Sequence, residues 1–394
     1  MVRTGLERLV DEGPRVAGLL PGARIGLIAH PASVDRNLDH AVDLLAVRAD
    51  LRVVRLFAAE HGVRGEAQDM EPVDERADPA TGIPVLSLYG SGVESLRPSP
   101  AQLSGLDALV YDLQDVGARY YTFVATLSYV MEAAHEAALP VVVLDRPNPI
   151  GGLAVEGPVL RPGCESFVGR FPIPVRHGMT TAELAALTRS AFGIDCDLRI
   201  VTMSGWRRAM HFEDTGLPWV APSPNMPTPD TARVYPGACL VEGTNLSEAR
   251  GTTRPFELVG APWLDAGRLA AALRREGLPG ALFRAASFRP MFHKHGATSC
   301  HGVQVHVTDR DRFRPFESYL ALLREAIRQD PESFRWRRDA YEFVTDRPAI
   351  DLLLGRTDLR PLLERGATLA EMQALWVKDL ATFGDLRRGF LAYE

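Results

Sequence analysis

Glu60 and His61 place a carboxylate beside an imidazole directly after an apolar run at residues 53–59. Such a run, followed by a small residue such as Gly62, predicts a strand of a parallel sheet, and ligands of these sheets gather beyond the carboxyl ends of the strands. A carboxyl group held there beside an imidazole is suited to general acid catalysis. Glu60 is therefore the leading catalytic candidate, with His61 beside it. The alternative is that Glu60 accepts backbone N–H bonds in the glycine turn and that His61 only packs.

A second polar group follows the apolar run at residues 108–111. It contains Asp112, Gln114, Asp115, Arg119, Tyr120, Tyr121 and Thr122. Two carboxylates, a guanidinium and several hydroxyls suit the recognition of sugar hydroxyls or of a hard cation. A structural alternative has an aspartate capping the helix that begins near Tyr121, with Arg119 as its partner. We expect this segment to line a site, with Asp115 as a catalytic candidate.

Two shorter motifs add candidates for binding. Asn148 lies between two prolines, whose fixed φ angles make a rigid loop that suits either a binding amide or a plain turn. Arg176 and His177 precede a predicted helix, so His177 could reach an anionic ligand near a helix N-terminus. A lone histidine at such a position is more often structural.

Residues 222–229 and 242–253 contain too many prolines or polar side chains to form core. Both segments are predicted to be loops that close over the site. Their binding candidates are Asn225, Glu242, Asn245, Glu248 and Arg250. Glu242 and Glu248 are also candidates for a second catalytic carboxylate, together with Asp115.

Alternating apolar runs and helical stretches between residues 23 and 150 predict the elements that position these side chains. The runs cover residues 24–28, 52–57, 83–89, 108–111 and 141–144. This alternation is typical of repeated βαβ units, so we expect an α/β domain whose mostly parallel sheet brings the strand ends together. A proline-dense passage at residues 218–229 predicts a domain boundary near residue 230. We therefore expect a first domain over 1–230 and a smaller α+β domain over 231–394.

Helices are predicted from apolar spacing and from capping residues. Residues 121–138 are apolar at helical spacing, which predicts a crossover helix before the strand at 141–144. Capping boxes that begin at Thr180 and Thr368 predict two further helix starts, the second for a helix over 369–383.

The chain has 394 residues, a formal net charge of −6 and 46% hydrophobic residues, which are ordinary values for a globular protein. A net negative charge gives no indication of a basic surface that would bind nucleic acid. No run of about 18 apolar residues indicates a membrane span. The first residues lack the apolar region of a signal peptide, so we expect a cytoplasmic protein. Four cysteines lie far apart without C-x-x-C pairing, which argues against a zinc knuckle or a disulfide framework.

Histidines at 293, 295, 301 and 306 suggest a metal site, because imidazole is a common zinc ligand. However, the chain has no H-E-x-x-H motif, and His301 and His306 lie five residues apart on a predicted strand, so they face opposite sides. The first strand is followed by residues 29–34 without a G-x-G-x-x-G motif, which gives no indication of a dinucleotide. We expect neither a metal nor a cofactor.

The order of these motifs resembles the exo-β-N-acetylmuramidase family (NamZ-like). The resemblance covers nearly the whole chain and rests on residues 57–65, 112–122, 144–152, 156–158, 176–180, 222–228, 235–245 and 247–253. It implies a Rossmann-like domain, a smaller C-terminal domain and a cleft between them. The implied activity is the release of N-acetylmuramic acid from the non-reducing end of peptidoglycan fragments, with Glu60 as the catalytic glutamate. Two departures are Ala59, where the family usually has proline, and residues 29–33, which lack the usual Thr-Asn dipeptide.

The residues and the resemblance together predict a glycoside hydrolase in which Glu60 protonates the glycosidic oxygen. His61, Arg119 and His177 are expected to orient Glu60 and to bind the lactyl carboxylate or the acetamido group of the substrate. The other expected substrate contacts are Gln114, Tyr120, Tyr121, Asn148 and Arg176 with the loop residues named above. Participation by the substrate's own acetamido group would remove the need for a second nucleophile.

Two rival functions are a metal-dependent hydrolase and a two-domain sugar-binding protein without turnover, and the oligomeric state is left open. Many relatives carry an export signal that this sequence lacks. The family resemblance therefore predicts either recycling of muropeptides inside the cell or a diverged substrate.

Overall fold

The computed structural model describes residues 1–65, 76–90 and 92–394, which fold as an α/β protein with two main sheets. The strands of the described residues are β1 (Ala23–Ala29), β2 (Leu51–Ala58), β3 (Arg76–Ala77), β4 (Pro84–Ser87), β5 (Ala108–Asp112), β6 (Val141–Leu144), β7 (Glu156–Val159), β8 (Pro174–Arg176), β9 (Leu198–Val201), β10 (Leu258–Ala261), β11 (Ala281–Phe288) and β12 (Cys300–Val307).

The helices of the same residues cover the sheets and carry the connections between strands. They are α1 (Gly5–Glu12), α2 (Ala41–Ala46), α3 (Pro100–Leu103), α4 (Phe123–Glu136), α5 (Thr181–Ala191), α6 (Pro229–Ala238), α7 (Ala266–Arg275), α8 (Pro315–Gln329), α9 (Ala349–Leu354), α10 (Leu359–Glu364), α11 (Leu369–Gln373) and α12 (Val377–Arg388). No helix in the described ranges is long and apolar enough to cross a membrane.

The larger sheet has the strand order β3-β4-β2-β1-β5-β6-β9 and is parallel except for the edge pair of β3 with β4. Its six parallel strands follow the order of the doubly wound dinucleotide-binding fold, in which the chain reverses direction between the first and the fourth parallel strand. Here that point lies between β1 and β5. The predicted fold class, a Rossmann-like sheet with a smaller C-terminal unit, is confirmed, and each of the five apolar runs forms a strand.

The register of the central strands brings their carboxyl ends to one level. Ala29, the last residue of β1, pairs with Ala58 of β2 on one side and with Asp112 of β5 on the other. The three chains that continue from these residues therefore leave the sheet side by side. β5 and β6 are buried on both faces, which explains their continuous apolar sequence.

The smaller sheet has the order β10-β12-β11 and is antiparallel. The capping boxes predicted at Thr180 and Thr368 are both present. The single helix predicted over residues 369–383 is wrong, because α11 ends at Gln373 and α12 begins at Val377. Trp376 explains the break, since its indole is buried and packs edge-on against Phe316 with ring centroids 5.6 Å apart.

Several contacts tie the C-terminal part of the chain to the first sheet. Buried Arg119 donates to the carbonyl oxygens of Pro158 and Ile173 and also to that of Leu353. At the end of the chain, Arg387 donates to the carbonyl oxygens of residues 152, 153, 177 and 178, and the Tyr393 hydroxyl donates to Asp145. We retain the division near residue 230, where α6 begins, as a proposal.

A side chain added at Gly237 in α6 would crowd the contact between α6 and α8. A Cβ atom at this position would lie 2.1 Å from the carbonyl oxygen of Pro315, which is backbone and cannot move aside cheaply. We expect Gly237→Ala to lower the free energy of unfolding by about 1–3 kcal/mol, the usual cost of overpacking. Thermal and denaturant unfolding followed by circular dichroism measures this change.

The matched control is Gly384→Ala in α12, where a Cβ atom would meet no atom within 4 Å. Alanine has the higher helix propensity, so this variant is expected to be neutral or to gain up to about 1 kcal/mol. Equal stability of the two variants would contradict the packing described for α6.

Candidate active site

A cavity opens at the carboxyl end of β2, between the larger sheet and loops of the C-terminal part. The space between its lining atoms, counted out to the open mouth, amounts to about 590 Å³. Its lining comprises Glu60, His61, Tyr120, Tyr121, Thr122, Val168, Ser223, Met226, Tyr235, Glu242, Arg250, Phe256, His293, Arg337, Tyr341 and Glu342. The lining therefore combines carboxylates and basic groups with an aromatic wall.

A tight turn presents Glu60 and His61 to this cavity. The amide of Gly62 donates to the carbonyl oxygen of Ala59 at 3.0 Å, which closes a four-residue turn. His61 occupies the third position of the turn with a φ of +76°, a left-handed conformation that favours glycine. Both side chains are buried, with 5% exposure for Glu60 and 6% for His61. The turn thus holds a carboxylate and an imidazole against the cavity at the cost of backbone strain.

Thr122 anchors the carboxylate of Glu60. Its hydroxyl donates to Glu60 Oε2 at 2.7 Å. Thr122 is also the N-cap residue of α4, yet its side chain makes no capping hydrogen bond to that helix. The hydroxyl that would ordinarily stabilise the helix start is therefore directed at Glu60 instead. The N-cap position, for which the sequence allowed an aspartate, is therefore occupied by a threonine that does not cap the helix.

Glu242 enters the cavity from the C-terminal side and is held through both carboxylate oxygens. Its Oε1 accepts from Arg250 Nη2 at 2.7 Å, and its Oε2 accepts from the Tyr341 hydroxyl at 2.6 Å. Burial raises the pKa of Tyr341 well above its usual value, so the phenol stays neutral and remains a donor. This arrangement fixes the direction of the Arg250 guanidinium.

Glu248 lies behind the cavity and organises its basic side chains. Its carboxylate is 2.8 Å from Lys294 Nζ, 3.3 Å from His293 Nδ1 and 3.4 Å from Arg250 Nε. Burial by itself raises the pKa of Glu248, but Lys294, His293 and Arg250 outweigh burial and bring the pKa well below its usual range. Glu248 is therefore an ionised partner of Arg250 and His293, and it is not among the residues that line the cavity.

Backbone strain is concentrated around this cavity. His61, Phe256, His293 and Glu342 all line it, and all have positive φ angles although none is glycine. Such conformations cost about 1–3 kcal/mol each and persist where the surrounding structure enforces them, which is common at functional sites. The distribution of strain therefore supports a functional role for this cavity.

The cavity brings together part of the predicted site. Of the residues expected from the sequence, Glu60, His61, Tyr120, Tyr121, Glu242 and Arg250 line it. The Tyr120 hydroxyl is directed away, because it donates to the carbonyl oxygen of Pro236. Asn225 is buried between two lining residues, Ser223 and Met226, without being among the lining residues itself.

Asp115, Gln114 and His177 lie behind the strand ends and do not line the cavity. Asp115 Oδ2 accepts from the Gly117 amide at 2.6 Å and lies 3.4 Å from His177 Nε2. Gln114 donates to the carbonyl oxygens of Asp115 and Pro147. These contacts support the loops after β5 and β6, and the expected roles of the three residues stay predictions.

Four further candidates form structural contacts. Arg119 bonds three backbone carbonyl oxygens, and burial lowers its pKa to about 10, which leaves it charged near neutral pH. Arg176 donates to the carbonyl oxygen of Ile150. Asn148 closes its own turn by accepting from the Ile150 amide and donating to the Met179 carbonyl oxygen. Asn245 bonds the backbone of residues 333 and 335.

Sequence reasoning missed the residues that the loop between α8 and α9 contributes. Arg337, Tyr341 and Glu342 reach the cavity from this loop. Glu342 also accepts from the Tyr89 hydroxyl at 3.1 Å, although the two residues are 253 positions apart. The dense group of arginines and aromatic residues at 334–343 was the available signal, but no periodicity linked it to the site.

The described ranges contain no group of three or more His, Cys, Asp or Glu side chains placed to hold a metal ion. Three of the four histidines that suggested such a site have other contacts. His295 Nε2 is 2.7 Å from the carbonyl oxygen of Asn245, and His301 Nδ1 is 2.8 Å from Ser287 Oγ. His293 lines the cavity beside Glu248.

Comparisons with known proteins agree over the full length of the chain. A curated relative, peptidoglycan beta-N-acetylmuramidase NamZ of Bacillus subtilis (strain 168), is 46% identical over 392 residues, covering 100% of this chain and 91% of the relative. A crystal structure of a DUF1343 family protein from Bacteroides fragilis superposes with a TM-score of 0.88 at 34% identity, covering 100% of this chain and 99% of the other. A second DUF1343 protein of that organism has a TM-score of 0.77 at 29% identity, with the same coverage.

Two family models match successive parts of the chain. The model described as the N-terminal part of exo-beta-N-acetylmuramidase NamZ matches residues 25–230, and the model of its C-terminal part matches residues 233–393. The resemblance inferred from the motifs is therefore confirmed. The chain belongs to the exo-beta-N-acetylmuramidase NamZ family.

Proposed function

We propose that this protein is an exo-acting β-N-acetylmuramidase that releases N-acetylmuramic acid from the non-reducing end of peptidoglycan fragments, with Glu60 as the general acid. The observation that carries the proposal is the buried Glu60 carboxylate, anchored by Thr122 on the wall of a cavity that also holds basic and aromatic side chains. The activity named for the Bacillus subtilis relative supports the same reaction.

In the proposed reaction, Glu60 donates its proton to the glycosidic oxygen as the bond between that oxygen and the anomeric carbon breaks. The leaving sugar takes the proton, and positive charge develops on the anomeric carbon. A water molecule then adds to this carbon and returns a proton to Glu60. The turn that contains His61 keeps the carboxyl group fixed during both steps.

The group that stabilises the anomeric carbon has three candidates. Glu342 and Glu242 both line the cavity with Glu60, whereas Asp115 and Glu248 do not. Glu242 is held through both oxygens by Arg250 and Tyr341, and Glu342 accepts from the Tyr89 hydroxyl. The third candidate is the acetamido group of the substrate. A carboxyl separation of roughly 5 Å in the substrate complex would indicate retention, and about 6.5–9.5 Å would indicate inversion.

The lining also supports selectivity for muramic acid over glucosamine. N-acetylmuramic acid differs by a lactyl ether that carries a carboxylate. Arg250, Arg337 and His293 line the same cavity and can present N–H groups to that carboxylate. Tyr121, Tyr235 and Phe256 supply aromatic surface for the sugar ring. We propose that these residues take over the binding roles that the sequence had suggested for Arg119 and His177.

Glu60→Gln tests the general acid. We expect kcat to fall by about 10²–10⁴-fold on MurNAc-β-1,4-GlcNAc, because glutamine cannot protonate the leaving oxygen. Release of the two sugars is measured by chromatography, with the N-acetylglucosamine disaccharide as the comparison substrate. Full activity of Glu60→Gln would contradict the proposed role.

Glu257→Gln is the matched control, since Glu257 is also buried but bonds Thr231 and Arg254 outside the cavity. It is expected to keep kcat within about threefold, because its hydrogen bonds do not touch the reacting atoms. A loss equal to that of Glu60→Gln would indicate a general effect of the substitution on folding.

Thr122→Val tests whether the hydroxyl positions Glu60. Valine keeps the shape of the side chain and removes the donor, so we expect kcat to fall roughly tenfold while KM changes little, because orientation of the carboxyl group is lost. Steady-state kinetics with a muramic acid disaccharide measure the two constants separately.

Thr126→Val, one turn further along α4, is the control. Thr126 is buried, and its hydroxyl donates to the carbonyl oxygen of Thr122. Its removal is expected to leave kcat close to the wild-type value. If both valine variants lose activity in proportion to their loss of thermal stability, the positioning role of Thr122 is wrong.

A further inference from the structure

One tyrosine on the wall of the cavity has a buried hydroxyl without a hydrogen-bond partner among the residues that the structure describes. This residue is Tyr121, which lines the cavity and is 6% exposed. A buried donor without a partner is costly, because the hydrogen bond to water that it loses on folding is not replaced. The Tyr121 hydroxyl is therefore a candidate for a partner that comes from a ligand.

Other buried tyrosines show that this fold can satisfy a phenol. The Tyr111 hydroxyl donates to the carbonyl oxygen of Phe123 at 2.7 Å. The Tyr319 hydroxyl donates to the carbonyl oxygen of Phe256 at 2.6 Å. Neither of these two tyrosines lines the cavity, whereas Tyr121 does. The hydroxyl that lacks an acceptor is thus the one on the cavity wall, which indicates a role in binding.

Aromatic contacts fix the direction of the Tyr121 ring. It packs edge-on against Phe123, with ring centroids 4.9 Å apart, and against Tyr235, with ring centroids 5.7 Å apart. The next residue in the chain is Thr122, whose hydroxyl anchors the Glu60 carboxylate. The phenol and the proposed general acid are therefore held by adjacent residues, and a fixed donor of this kind lowers the entropic cost of binding.

The Tyr121 phenol is neutral and lies near Glu60. Burial raises the pKa of Tyr121 well above its usual value, and the Glu60 carboxylate adds to this effect. Ser223 and Arg250 lower the pKa but do not offset burial. A neutral phenol donates a hydrogen bond, yet it holds an anion less strongly than a guanidinium does. Its matching ligand is therefore an uncharged acceptor close to the glycosidic bond.

We propose that the Tyr121 hydroxyl donates to the carbonyl oxygen of the substrate's acetamido group and thereby selects sugars that carry this group. The inference rests on the proposed function, because it assumes that N-acetylmuramic acid occupies the cavity with its glycosidic oxygen at Glu60. The acetamido group is attached to the carbon next to the anomeric carbon, so it lies close to the bond that breaks. The lactyl group is attached one carbon further along the ring and ends in a carboxylate, which Arg250 and Arg337 match better.

The surroundings of the hydroxyl suit an amide that ends in a methyl group. Met226 and Tyr235 line the same cavity and offer apolar surface for the methyl group. The hydroxyl has already lost its water, so the sugar adds a hydrogen bond there without breaking another. Ser223 lies beside the phenol in residues 217–228, which form neither helix nor strand. We expect this segment to move aside when the sugar enters.

Tyr121→Phe tests this role, because it removes the hydroxyl and keeps the ring. We expect kcat/KM on a chromogenic β-N-acetylmuramide to fall about tenfold. Inhibition constants are measured for N-acetylmuramic acid and for its analogue with a hydroxyl in place of the acetamido group. We expect the variant to bind N-acetylmuramic acid about tenfold more weakly than the wild type does, and the analogue equally well.

The matched control is Tyr111→Phe, which removes a buried phenol oxygen outside the cavity. We expect its kcat/KM and both inhibition constants to stay within about threefold of the wild-type values. Its thermal unfolding temperature should fall, because the hydrogen bond to Phe123 is lost. That of Tyr121→Phe should stay the same or rise, because no hydrogen bond is lost.

Different results contradict the two proposals. A wild type that hydrolyses no β-N-acetylmuramide contradicts the proposed function. An active wild type whose constants are unchanged in Tyr121→Phe overturns the role of the hydroxyl alone. An equal loss of affinity for both sugars also overturns it, because the variant would then disturb the cavity in general. Equal inhibition of the wild type by the two sugars does the same, since the acetamido group would not be recognised.

Discussion

The buried ion pair of Asp112 with Arg146 joins the strand ends on which the site depends. Arg146 bonds both carboxylate oxygens, at 2.6 and 2.8 Å, and also the carbonyl oxygen of Val34. Ser33 donates to the carbonyl oxygen of Asp112. The pair therefore links the loops that follow β1, β5 and β6, next to the strand that carries Glu60. Removing one partner of such a pair leaves an uncompensated buried charge, which is costly. The ion pair therefore holds these loops in one arrangement.

The sequence was sufficient to predict the sheet and the position of Glu60, because both depend on local patterns. Apolar runs identify the strands, and the residues after a parallel strand must lie at one edge. The partners of the polar side chains could not be predicted in this way. Arg119 and His177 have the residue types of ligand-binding groups, but the carbonyl oxygens and the carboxylate that they meet come from distant segments. Glu342 reaches the cavity through long-range packing, which leaves no local pattern.

The two sides of the cavity hold their strained residues in place by different contacts. On the sheet side, His61 holds a left-handed conformation beside a regular strand, so the strand supplies the rigidity. On the other side, loops carry His293 and Glu342 in similar conformations, and contacts of His293 with Glu248 and of Glu342 with the Tyr89 hydroxyl supply the rigidity instead. The Glu248 carboxylate is central to that side, since three basic side chains converge on it.

The path of the C-terminal tail has a consequence for motion. Arg387, in the last turn of α12, bonds the loops after β6 and β8. Beyond α12 the chain returns to the larger sheet, where the amide of Arg208 donates to the carbonyl oxygen of Glu394. The two halves are therefore connected both near residue 230 and by the tail. A hinge motion at the connection near residue 230 would have to break the hydrogen bonds made by the tail. The two halves therefore resist moving apart as rigid bodies. We therefore expect the loops around the cavity to move more readily than the two halves, while the strand that precedes Glu60 stays in place.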